Sequence, residues 1–206
     1  MAVTKAQLVS DLNHYLMRSE TVASLEAELR DTIINFGQMA RWPCLYDGDG
    51  ALLAEGEGWV AAPTDLHSLD TISPWDGEAG DIQWDPMERE RWIDLAVGLS
   101  GETPPTGRPS KFCMRGTQYI FDVAADRDYW IFTLYWKNPE TDEATLDFPD
   151  HYRPALASLL QANYLAGLGL QTDPKCAQLA ARFNSQLALL MPEADHKVRA
   201  AVYGGL

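Results

Sequence analysis

Apolar positions along this chain follow a helical period at both ends and a strand period in the middle. From Thr4 to Met17, Leu8, Leu12, Tyr15 and Leu16 recur at helical spacing, and Thr4 is placed to cap the first turn. Arg18 to Thr21 breaks the pattern. A second helix is predicted over 22–40, with Val22, Leu25, Leu29, Ile33 and Phe36 on one stripe, ending near Trp42 because Pro43 disfavours helix in the residue before it. After Tyr46 the texture becomes strand and turn. Asp47 to Gly50 and Glu55 to Gly58 read as turns around Ala51 to Ala54, Trp59 to Ala62 as a short strand, and Leu69 to Ile72 as another extended piece. Ser73 to Pro86, with Trp75 and Trp84, reads as an ordered loop, and Met87 to Val97 as a short helix closed by Gly98, Gly101, Pro104, Pro105 and Gly107.

The strongest strand signal lies in Gln118 to Val123 and Tyr129 to Trp136, which read as one β-hairpin joined by Ala124 to Asp128. Tyr119, Phe121 and Val123 share a face of the first strand, and Trp130, Phe132, Leu134 and Trp136 a face of the second. Ile120, Ile131 and Tyr135 make the other faces apolar too, so the hairpin is either covered on both sides within one chain or offers one side to another subunit. Helical spacing returns from Pro149 to Leu168, with Tyr152, Leu156, Leu159, Leu160 and Tyr164. Asp173 and Pro174 then start a last helix whose stripe is Cys176, Leu179, Ala180, Phe183, Leu187 and Leu190, closed by Pro192. The tail to Leu206 keeps Val198, Val202, Tyr203 and Leu206, although free ends are ordinarily disordered.

These elements predict an α+β, mostly helical fold. The N-terminal and C-terminal helical pairs pack together, with a β-rich hairpin insertion between them. The 206 residues read as a single domain, with a helical body over 4–46 and 149–191, the insertion over 51–139 and a tail over 192–206. With no apolar run of about 18 residues, a membrane span is not expected. The N-terminus has no secretory apolar region, which predicts synthesis in the cytoplasm. Cys44, Cys113 and Cys176 are odd in number and far apart, which favours reduced thiols over a disulfide framework.

Charge narrows the function classes. A formal net charge of −14 argues against tight binding of nucleic acid through its phosphates. No catalytic constellation stands out. His14, His67, His151 and His196 are isolated from one another and from the cysteines, so no zinc spacing exists. Asp47-Gly48-Asp49-Gly50 opens like a calcium loop, but Ala51 and Gly58 stand where further ligands belong. Neither Ser73 nor Ser100 lies in a G-x-S-x-G elbow, and no glycine-rich phosphate loop is present. Pairs such as Asp126 and Asp128, or Glu88 and Glu90, are expected by chance among 30 carboxylates. No cofactor is called for.

The order of features resembles the adaptor proteins of tailed bacteriophages, the head completion or head-to-tail connector family. The match runs from about Ala6 to Leu190. It is carried by Leu8, Val9, Leu12, Tyr15, Leu16 and Arg18; by Ile34, Gly37, Ala40 and Arg41; by Pro63-Thr64-Asp65-Leu66; by Gly107-Arg108-Pro109-Ser110-Lys111-Phe112 with the Gly turn and Tyr119-Ile120-Phe121 after it; by Tyr129 to Trp136; and by Phe148-Pro149 with Tyr152 and the closing helices. The loop from Ser73 to Pro86 is longer than the family pattern, and Asp122-Val123-Ala124-Ala125 stands where the family has a proline. The resemblance implies a non-enzymatic virion protein of the neck, forming a twelve-fold homo-oligomeric ring under the portal. Such a ring extends the viral DNA channel and offers a platform to the next tail or stopper protein, with DNA passing the lumen unbound. On that reading Val198, Val202, Tyr203 and Leu206 are candidates for a portal-binding tail that orders on docking. Tyr119, Phe121, Trp130, Phe132 and Trp136 are candidates for an inter-subunit or tail-facing surface, and Asp47, Asp49, Glu55 and Glu57 for acidic lining of the lumen. Two alternatives stay open: a tail-side stopper or terminator ring protein, and a small cytosolic enzyme with an unrecognised carboxylate site.

Overall fold

A computed structural model describes residues 1–77, 85–99 and 105–203, with side chains described as far as Met191. In chain order the elements are β1 (Ala2–Thr4), α1 (Lys5–Leu16), α2 (Glu26–Gln38), β2 (Tyr46–Leu53), β3 (Trp59–Ala61), β4 (Leu66–Trp75), β5 (Glu88–Arg89), α3 (Trp92–Leu99), β6 (Thr106–Gly107), β7 (Lys111–Arg115), β8 (Gln118–Phe121), β9 (Ala124–Ala125), β10 (Tyr129–Lys137), β11 (Thr145–Pro149), α4 (Arg153–Gly167) and α5 (Pro174–Tyr203). They form two compact units, one of residues 1–46 with 138–206 and one of residues 47–137.

The expectation of a mostly helical fold fails. Helix accounts for 42% of the chain and strand for 30%, so the class is α+β with a sizeable β unit. Propensity undercounted the strands because glycine, aspartate and serine are poor strand formers, yet tertiary pairing holds them extended.

In the first unit, α1 begins with a capping box. Thr4 Oγ1 accepts from Gln7 N at 3.2 Å, and Thr4 N donates to Gln7 Oε1 at 2.8 Å. Leu8, Val9 and Leu12 of α1 and Leu29, Ile33 and Phe36 of α2 join Leu156 and Leu160 of α4 and Phe183 of α5 in one core. Its centre is aromatic. Phe36 stacks on Trp42 with ring centroids 4.8 Å apart, Phe148 meets Phe36 edge-on at 5.2 Å and Tyr152 meets Trp42 at 5.3 Å. The fully buried Trp42 indole donates to the Phe36 carbonyl at 2.7 Å, satisfying both a buried polar group and a carbonyl near the helix end. Gly37 is required by a close approach. A Cβ there would lie 2.6 Å and 2.7 Å from Pro139 Cγ and Cδ, because the returning chain runs directly over α2. Helix α2 starts at Glu26, after a tight turn over 23–25, later than its apolar stripe suggests.

Helix α5 starts at Pro174 as expected, with Asp173 Oδ1 accepting from Lys175 N at 2.8 Å. It does not end at Pro192. The helix continues to Tyr203, because one missing N–H interrupts only one bond of the ladder and Ala194, Lys197, Arg199, Ala200 and Ala201 are all good helix formers.

In the second unit the predicted hairpin does not form. β8 pairs antiparallel with β7 and β3, whereas β10 pairs antiparallel with β4 and also neighbours β2. The two apolar strands thus belong to different sheets, β3-β8-β7-β5 and β2-β10-β4. The true hairpin is β7–β8, closed by Gly116 and Thr117. Gly116 has φ of +60° and Arg115 pairs with Gln118, the two-residue loop that twists with the strands. Both sheets feed one core of Leu53, Val60, Ile72, Phe112, Tyr119, Phe121, Tyr129 and Ile131.

Three further expectations change. Asp47 to Gly50 is no turn but part of β2. The glycines are tolerated there because β10 side chains occupy their missing volume: Leu134 Cδ2 lies 3.1 Å from where a Gly48 Cβ would be, and the Phe132 ring 3.5 Å from that of Gly50. The extended piece at Leu69 to Ile72 is the middle of the ten-residue β4, which also takes in Trp75, and the short helix begins at Trp92 instead of Met87. Trp84, Ser100, Gly101 and Pro104 lie outside the described residues.

Substituting Gly37→Ala is expected to destabilise the protein by about 1–3 kcal/mol, as overpacking against the stiff Pro139 ring does, measured by chemical denaturation. A second test uses Tyr119 and Tyr129. Burial pushes both phenols up to about 12, and the Tyr129 hydroxyl also donates to Asp126 Oδ1 at 2.7 Å. Their ordinary value near 10 applies to the unfolded chain, so their contribution is complete below about pH 10 and lost as pH rises toward 12. Denaturation midpoints should fall across that window, and Tyr119→Phe should flatten the fall.

Candidate docking surfaces

Among the described residues no three metal-ligating side chains come together, and no helix is long and apolar enough to cross a membrane. Cys44, Cys113 and Cys176 are in no disulfide, and burial pushes the Cys113 thiol up. One concavity of the first unit is an open groove of about 440 Å³ lined by residues of α1, α4 and α5, including Asp11, His14, Arg153, Gln161 and Arg182. Its central charges are used on each other. Arg153 Nε and Nη2 donate to the two Asp11 carboxylate oxygens at 2.9 Å and 2.8 Å, and Gln161 Nε2 donates to the Asp11 carbonyl at 3.1 Å. The Asp11 hydrogen bonds hold Arg153 above its ordinary value. This arrangement clasps α1 to α4 and leaves no base poised on a nucleophile.

The second unit presents a different surface. Strand β10 is the middle strand of its sheet, so every side chain faces one of two sides. Tyr129, Ile131, Thr133 and Tyr135 are buried on one. On the other, Trp130 pairs with Trp75, Phe132 with Ser73 and Leu134 with Thr71 across the β4 register, and Phe132 and Trp75 have ring centroids 6.0 Å apart. Trp130 is 44% exposed and Leu52, on the same face of β2, is 51% exposed. The result is an aromatic surface laid over the bare backbone of Gly48 and Gly50.

The residues singled out in the sequence therefore separate. Tyr119 and Phe121 are fully buried in the core, Trp136 is buried, and only Trp130 and Phe132 reach the outer face. Trp75 and Leu52 complete that face and were missed. The glycines two apart at 48 and 50 could have revealed it, since a strand bare on one side implies a neighbour whose large side chains cover it.

Asp47 and Asp49 stand exposed on β2, each side chain accepting from the following glycine N–H at 2.8 Å. Lys137 Nζ lies 3.8 Å from Asp47. The Tyr135 hydroxyl donates to Asp65 at 2.9 Å; burial, then Asp65, Asp47 and Asp49, raise its pKa strongly. Glu55 and Glu57 flank Gly56, whose φ of +84° forms the turn after β2. Val198, Val202 and Tyr203 fall on the last turns of α5, where only the backbone is described, and Leu206 lies outside the described residues.

No curated protein matches this sequence. A family model described as "SU10 adaptor protein" matches residues 4–204. Nearly the whole chain, both helical ends and the β unit together, is thereby covered. This chain belongs to the SU10 adaptor protein family, and so is a structural adaptor of bacteriophages, a component of the virion that associates with other head and tail proteins.

Proposed function

We propose that copies of this chain form a twelve-fold ring under the portal, joining head to tail and extending the DNA channel. The observation that carries the reading is the outer side of β10, where Trp130 stands 44% exposed beside the half-buried Trp75 and Phe132, on the β unit of a chain in a structural adaptor family. That face is the platform for the next tail component. The portal is bound through the turns of α5 that carry Val198, Val202 and Tyr203 and on through Leu206. Each subunit's contact is weak alone and twelve together are strong. Asp47 and Asp49 face the channel, where carboxylates repel the phosphates of passing DNA and prevent it from sticking.

Mixing the purified chain with the portal from the same phage should give a complex of ring-sized mass, read by native mass spectrometry. A chain ending at Met191 should show portal association weakened at least tenfold, with its thermal transition retained. Absence of any complex with the full chain would refute the adaptor ring, and undiminished association of the shortened chain would refute the role of the tail. Virions carrying Asp47→Asn with Asp49→Asn should assemble normally yet eject DNA more slowly. Ejection at the wild-type rate would remove these carboxylates from the channel.

A further inference from the structure

The sheet β2-β10-β4 has two edge strands, of eight and ten residues. An edge of that length presents a row of N–H and C=O groups on which another chain can pair, and every copy of a protein carries the same edge. The β4 edge is closed by its surroundings. Met87 N donates to the Ile72 carbonyl at 2.9 Å, Asp85 N to Ser73 Oγ at 3.1 Å and Arg108 Nη2 to the Pro74 carbonyl at 3.2 Å. Ile72 and Pro74 therefore turn toward the edge, where proline has no N–H to offer an incoming strand. Further along, the register with β10 slips at Asp70 and again at His67. Each slip is an extra residue that bends the edge out of line for pairing.

Strand β2 is defended differently. Among the described residues no strand lies beyond it, and the glycines at 48 and 50 are exposed. Two of its donors are nevertheless occupied. Gly48 N donates to Asp47 Oδ1 and Gly50 N to Asp49 Oδ1, both at 2.8 Å. Residues two apart in a strand turn their N–H groups to the same side, and these two go to carboxylates instead of to β10 carbonyls, so they lie on the free edge. Each aspartate folds back onto a donor that an incoming strand needs. Charge acts in the same direction, because the carbonyl oxygens of an incoming strand meet a carboxylate there and a second copy of β2 brings two carboxylates of its own.

We propose that Asp47 and Asp49 guard the β2 edge: by holding the N–H groups of Gly48 and Gly50 they keep copies of this chain from joining strand to strand. The guard acts in the free chain, whether or not the same carboxylates line a channel, so the inference stands apart from the ring reading above and survives its failure.

The test compares full-length variants in the absence of any partner, by native mass spectrometry over a concentration series and by amide hydrogen exchange at Gly48 and Gly50. Asp47→Ala with Asp49→Ala, its far-UV circular dichroism unchanged, should self-associate at concentrations at least tenfold below those at which the wild type does. Exchange at Gly48 and Gly50 should slow as it associates, because carbonyls of the added strand take the freed donors. Asp49→Ala alone, which frees only Gly50, should show the same change in smaller measure. Asp47→Asn with Asp49→Asn keeps Oδ1 as an acceptor while removing the charge, and should associate no more readily than the wild type. Folded alanine variants that keep the wild-type mass throughout would overturn the proposal. Association that leaves Gly48 and Gly50 exchanging as fast as in the wild type would also overturn it, since another surface would then be joining the copies. An asparagine variant that associates as readily as the alanine variant would do the same, because repulsion alone would then be what keeps the edges apart.

Discussion

Strand β10 is apolar on both faces, and only one face has a core to enter. That constraint organises the β unit. As the middle strand of β2-β10-β4 it cannot turn its second face away, so Tyr129, Ile131 and Tyr135 go inward while Trp130 and Phe132 must lie on the outside. The neighbouring strands adapt. β4 sets Trp75 opposite Trp130, and β2 sets glycines beneath Phe132 and Leu134, so the aromatic rings lie flat against backbone. A Cβ at Gly48 would press on Leu134 Cδ2 at 3.1 Å, and one at Gly50 would rest against the Phe132 ring at 3.5 Å. The exposure of Trp130 is therefore built into the sheet.

The first unit is built around an aromatic centre. The Phe36 and Trp42 stack, tied by the indole N–H to the Phe36 carbonyl, holds the end of α2 against Phe148 and Tyr152. Gly37 lets the chain pass close as it returns at Pro139. The Asp11 and Arg153 pair sits at the rim, where both groups remain about one-third exposed, so its contribution is to orientation of α1 on α4 more than to stability.

Local information in the sequence determined the terminal helices, because their apolar stripes recur every three or four residues and their starts carry Thr4 and Pro174. It also determined that Gln118 to Phe121 and Tyr129 to Trp136 are strands, apolar on both sides, and that the chain belongs among phage adaptors. Only the tertiary structure decided which strands pair. Nearness in sequence favoured β8 with β10, but pairing is set by contacts far apart along the chain, and these gave β8 to β7 and β3, and β10 to β4 and β2. The tertiary structure likewise decided that Asp47 to Gly50 is a strand, since glycine's poor propensity is outweighed when a neighbour's rings fill the space, and that α5 passes through Pro192. It separated Tyr119 and Phe121 from Trp130 and Phe132, because a residue's side of a sheet follows from register, and register is fixed by partners that lie beyond any local window.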